Sequence, residues 1–206
     1  MLAGRLWRLG SAPGRWAARC WSAALLATAL AAAVGGSNHG FGPLWSGSLR
    51  SAAWLATYEL LGLANLGLLA GLALAVAQRK TLRVLLLAAT LRFGLYVVLL
   101  ALRREFRFVV YDLAVTLLAL AAYAWYAQLS GRVVEARWLF GAVLVSAAAA
   151  GGQRGRLAVH PLFNHNDLFH VGQMVSLYLL YRGGRFLRDR AADAGVTDLT
   201  AAPPRS

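Results

Sequence analysis

Six apolar runs constrain this chain more than any other feature, because each approaches the ~20 residues that cross ~30 Å of hydrocarbon. They cover residues 20–38, 52–76, 82–102, 106–129, 133–151 and 162–181. The stretches between the later ones are short and charged: Gln78-Arg79-Lys80, Arg103-Arg104-Glu105, Ser130-Gly131-Arg132 and Gln153-Arg154-Gly155-Arg156. Apolar types make up 59% of the 206 residues and charged types 14%, where a soluble domain carries roughly 25% charged residues. One small globule cannot hide that much apolar surface from water, so a soluble enzyme is excluded. The pattern predicts an all-α fold, a polytopic transmembrane helix bundle with six predicted spans. No linker is long enough to separate domains. Residues 20–184 therefore read as one transmembrane domain, between a basic N-terminus at 1–19 and a cytoplasmic tail at 185–206. The end of that tail, from Ala191, is small, polar and Pro-terminated, which predicts disorder.

The net charge of +13 raises nucleic acid as a partner. No basic stripe with interleaved aromatics supports it. Trp16, Trp21, Trp45, Trp54 and Trp138 fall at segment ends, the places of interface anchors rather than of a stacking platform. The expected partners are membrane lipids, with no nucleic acid. The charge is instead an orientation signal. Fourteen of the 21 Lys and Arg fall on the side of the N-terminus, the second and fourth loops and the C-terminus, six fall on the other side, and Arg92 lies mid-span. The Lys/Arg bias predicts a multi-pass protein of the cell membrane with both termini cytoplasmic. The first run, after its Arg-rich lead, also has the pattern of a signal peptide; its removal would leave the later topology unchanged. Cys20 is the single cysteine, so an intrachain disulfide and a Cys-based zinc site are both excluded.

Ionisable residues inside a span are costly and are functional candidates by default. His39 follows the outer end of the first run, Glu59 lies about two turns into the second, and Asp112 about two turns into the fourth. His165, Asp167 and His170 mark the outer start of the last run. The inner ends read as Arg, Lys and ordinary surface acids. Asp167 and His170, three apart, share a helix face. His165 is five before His170 and joins that face only from an N-cap position, which Pro161 and Asn164 make feasible. His and carboxylate groups gathered from several helices suit Zn²⁺ with an activated water. A buried polar network accounts for the same residues: Glu59 paired with Arg92, Asp112 with Arg107 or Tyr111, and Asn164 and Asp167 capping the last helix.

An early histidine at an outer helix end, acids in the next helices and the block Phe163-Asn164-His165-Asn166-Asp167-Leu168-Phe169-His170 resemble the CREST superfamily. So does the later run Leu179-Leu180-Tyr181-Arg182-Gly183-Gly184. That superfamily includes alkaline ceramidases and progestin/adipoQ receptors, and the chain looks like an uncharacterised bacterial branch of it. The resemblance implies a seven-helix fold here lacking its first helix. It also implies zinc as cofactor and a lipid amide or ester as substrate. His39 matches the family's early histidine, and His170 the second His of its last-helix HxxxH. Asn166 stands at the first, so that His165 or Asp167 would take its place. Glu59 is nearest to the family's acid. Gly35 stands where the family has a serine.

Two function classes follow. In one, His39, His165, Asp167 and His170 hold zinc, Glu59 or Asp112 is the catalytic acid or base, and the outer Arg103, Arg104 and Arg107 attract an anionic headgroup. In the other, the protein is non-enzymatic, ligand-sensing or structural, and its polar cluster fixes helix packing. A proton-coupled transporter is a weaker third reading, since no repeat supports alternating access.

Overall fold

The fold was obtained as a computed structural model, and it describes residues 1–160 and 163–190. Pro161, Leu162 and the tail predicted from Ala191 lie outside the described residues.

Each apolar run is the body of a helix. The described residues form α1 (Leu2–Leu9), α2 (Trp16–Phe41), α3 (Gly47–Val76), α4 (Arg79–Arg103), α5 (Arg107–Leu129), α6 (Val133–Arg154) and α7 (His165–Gly184). A 3₁₀ turn, Gly42–Leu44, follows α2. Trp16–Leu44 and the helices α3 to α6 are each long and apolar enough to cross a membrane, which makes five candidate spans among the described residues. The sixth predicted run became α7. Its 20 residues reach about 30 Å, but His165, Asn166, Asp167, His170 and Gln173 make its first half polar. The protein is a multi-pass helical membrane protein. Its surface agrees: Leu87, Leu91, Leu95, Val98 and Leu102 along α4 are all more than half exposed, a contiguous apolar face that suits lipid.

Helix α1 was not expected. Leu2, Leu6 and Leu9 recur at helical spacing while Arg5 and Arg8 take the other side. Leu6 is fully buried, and the Ser22 hydroxyl donates to the Ala3 carbonyl at 2.7 Å.

The chain divides into two compact units: Ala3–Thr116 with the described residues from Leu187 on, and Leu117–Phe186. In the first unit α2 packs along α3, and α3 against α4. Small residues allow the close α2–α3 approach, as in membrane helix pairs generally. A Cβ on Gly67 would stand 3.0 Å from the Cys20 carbonyl, and one on Gly71 would meet the Trp21 ring. Buried Trp21 donates its indole N–H to the Leu68 carbonyl at 3.1 Å. The helix ends of this unit are closed by the segment after α7. Asp189, 6% exposed, accepts from the backbone N–H groups of Trp16 (2.9 Å) and Ala17 (2.8 Å) at the start of α2. Arg190 donates to the Val76 carbonyl at the end of α3, at 3.1 Å. An acid at a helix N-terminus and a cation at a C-terminus each complement the helix dipole.

In the second unit α6 packs on α7. The buried Ser146 and Ser176 hydroxyls hydrogen-bond at 2.7 Å, and Ser176 also donates to the Ala142 carbonyl at 2.9 Å. The Arg182 guanidinium lies over the Trp138 ring, 4.0 Å from its centroid.

Candidate functional site

Of the six predicted site residues, Asp112 is the one that is buried, at 6% exposed. A carboxylate in a membrane interior requires partners, and two other helices supply them. Arg92 of α4 meets one oxygen at 2.8 Å. The Asn65 amide of α3 donates to the other at 2.6 Å. Arg92 also donates to the Asp112 carbonyl at 3.0 Å, and the Thr116 hydroxyl to that same carbonyl at 3.0 Å. Asp112 thus ties α3, α4 and α5 together within the first unit. The expected pairing of Arg92 with Glu59 is not what forms. Glu59 is exposed on α3, and Arg107 pairs with its neighbour Glu105 at 2.7 Å. Arg92 retains two buried nitrogens, Nε and Nη2, without a hydrogen bond among the described residues. Above this network the Tyr96 hydroxyl donates to the Tyr58 carbonyl at 2.6 Å, and the Tyr96 ring fills the space that a Cβ on Gly62 would need.

A second interior network lies in the second unit, at the end read above as carrying ordinary surface acids. Glu135 there is 3% exposed. Its carboxylate accepts from the Tyr123 hydroxyl, and Arg132 stands 3.9 Å from its other oxygen. Arg132 also donates to the Tyr123 oxygen at 3.3 Å. The reading of Glu135 as a surface acid is corrected: in the first turn of α6, it faces Tyr123 of α5 instead of water. Asn65 was also missed, because an uncharged amide within an apolar run stands out little in a search for ionisable groups.

The start of α7 is built for capping. Asn164 is the N-cap, and its side chain accepts from the Asn166 N–H at 2.8 Å. The Asp167 carboxylate reaches back to the Asn164 N–H at 2.9 Å, completing a capping box. The Asn166 side-chain amide oxygen accepts from Gln153 of α6 at 3.1 Å. The capping alternative is therefore the one formed. His165 is the first helical residue and not the cap, so it lacks the position from which it would share the His170 face. The His170 ring lies 5.5 Å from the Phe169 ring, and His170 is exposed. In the first unit, exposed His39 sets its ring edge-on to Trp54, with centroids 4.8 Å apart. Among the described residues no three His, Cys, Asp or Glu side chains gather in a group that could hold a metal ion.

Residues 1–189 match DUF6962, a family of unknown function. No curated protein and no solved structure matches the chain.

Proposed function

The chain belongs to the DUF6962 family, and we propose from its own residues that it acts as a non-enzymatic multi-pass membrane protein whose interior polar groups fix helix packing. One observation carries the reading: Asp112, the buried acid among the predicted site residues, is engaged at both oxygens by Arg92 and Asn65 from two other helices. A general base or a metal ligand needs a lone pair facing a reacting group, and both Asp112 oxygens face structural partners instead. One oxygen of Asp167 is likewise taken up by its capping box.

The proposed arrangement has both termini cytoplasmic. The Lys/Arg bias supports this, and so does Asp189. Its hydrogen bonds to Trp16 and Ala17 join the start of the first span to the chain that follows α7. Ends that meet on one side imply an even number of crossings, so α7 would be the sixth.

The CREST-like alternative is a zinc-dependent hydrolase of a lipid amide or ester. It would need His39, His165, Asp167 and His170 to gather into one site with Glu59 beside them. One experiment separates the two readings. The protein and its Asp112→Ala, His39→Ala and His170→Ala variants are purified in detergent, then assayed for zinc by elemental analysis and for thermal unfolding. The structural reading expects no stoichiometric zinc in any of them. It also expects Asp112→Ala to lose about 3 kcal/mol of stability, as when one partner of a buried ion pair is removed, with both histidine variants close to the parent. Stoichiometric zinc that is lost in His39→Ala and His170→Ala would overturn it in favour of the hydrolase.

A further inference from the structure

A cleft at the predicted outer end of the first unit combines a cation, two hydroxyls and an apolar wall. It encloses about 170 Å³ and is lined by Ser51, Trp54, Leu55, Tyr58 and Arg104. The four α3 residues fall at i, i+3, i+4 and i+7, so they share one helix face. Arg104 closes the cleft from the end of α4. Its backbone is left-handed, with φ 52°, a conformation uncommon for a residue with a Cβ, and its N–H caps α4 by donating to the Leu100 carbonyl at 2.8 Å.

The charge here is unbalanced locally. Glu105, the neighbouring acid, is held by Arg107 through two contacts, at 2.7 and 2.9 Å. The Arg104 guanidinium has no ion pair or hydrogen bond among the described residues, and neither the Ser51 hydroxyl nor the Tyr58 hydroxyl has a partner there. Glu59, the other nearby acid, is not part of the lining. The wall is aromatic and continuous: Trp54 stacks on Tyr58 with centroids 5.9 Å apart, and Tyr58 meets Phe106 at 5.6 Å. Trp and Tyr gathered at a span end mark headgroup depth.

An anion with several acceptor oxygens satisfies Arg104, Ser51 and Tyr58 together, since guanidinium and hydroxyl donors suit phosphate. Leu55 and Trp54 add an apolar surface that a free ion would not use. We propose that this cleft binds the headgroup phosphodiester of an anionic membrane phospholipid, with the glycerol and upper acyl carbons against Trp54 and Leu55. The site is distinct from the interior Arg92–Asp112–Asn65 network and does not depend on it.

The test uses the full chain in vesicles of equal phosphatidylglycerol and phosphatidylcholine, released for native mass spectrometry. One phosphatidylglycerol is expected to stay bound in preference to phosphatidylcholine. Arg104→Gln should reduce that retention about tenfold, the loss typical of one charged hydrogen-bonding partner, while Arg154→Gln, on the same predicted side but outside the lining, keeps it. Excess glycerol 3-phosphate at matched ionic strength should not displace the lipid. Equal retention of the two lipids, or full retention by Arg104→Gln, would overturn the proposal. So would displacement by glycerol 3-phosphate, which would make this a site for soluble phosphates. Should Arg104→Gln fail to fold, the double variant Ser51→Ala with Tyr58→Phe removes both hydroxyls, and the same loss of preference is required of it.

Discussion

At the residue scale, charge inside the membrane was visible in the sequence but its partners were not. Asp112 stood out as an intramembrane acid, yet Arg92 and Asn65 lie 20 and 47 positions away in the chain. No local spacing rule links residues on different helices, so only the packing of α3, α4 and α5 could reveal the set. Glu135 failed differently. Three residues from the basic loop, it reads as a solvated loop charge, and only its burial against Tyr123 shows otherwise. A buried carboxylate with a hydroxyl donor and a cation beside it is costly to disturb. Glu135→Ala should therefore lower stability by about 1–3 kcal/mol, because the Tyr123 hydroxyl is left without its acceptor. Thermal unfolding in detergent checks this. A variant as stable as the parent would show that Tyr123 and Arg132 find water or lipid partners instead.

At the scale of the helix, length and apolar runs identified α2 to α6, because a span must satisfy its backbone internally and so writes itself as an unbroken apolar stretch. Boundaries were less legible. Helix α2 begins at Trp16, four residues before the apolar run, because its cap comes from Asp189 far along the chain. The residue at its N-cap position, Arg15, offers no side-chain cap. This predicts a specific weakness. Asp189→Ala should cost about 1–2 kcal/mol, the range for losing a helix cap, and should raise amide exchange first at Trp16 and Ala17. Hydrogen exchange read by mass spectrometry would show this, and unchanged protection at the start of α2 would count against the capping role. Helix α7 shows the reverse case. Its cap was legible, since Asn164 and Asp167 have capping-box spacing. The same residues suggested a metal, and residue types alone could not choose between the two.

At the scale of the molecule, the excess of basic residues is the strongest topological statement in the chain, and the contact of Asp189 with the start of α2 supports the same arrangement. It can be tested by labelling. In a Cys20→Ser background, Ser48→Cys should react with an impermeant maleimide in intact cells, and Gln78→Cys only after permeabilisation. The opposite pattern would invert the proposed orientation. The fold class was readable from the sequence alone, because lipid permits few solutions for six apolar runs. The function was not, because the residues with chemical potential lie on different helices and no local spacing shows which of them meet.

The interior network is the centre of this account, and a double-mutant cycle on Arg92 and Asp112 tests it most directly. Arg92→Leu, Asp112→Leu and the double variant are compared with the parent by unfolding free energy in detergent. Each single change should be strongly destabilising, and the double variant should recover part of the loss with a coupling of about 1–3 kcal/mol. Strictly additive losses would contradict it, because they would mean that Arg92 and Asp112 do not hold each other in the folded protein.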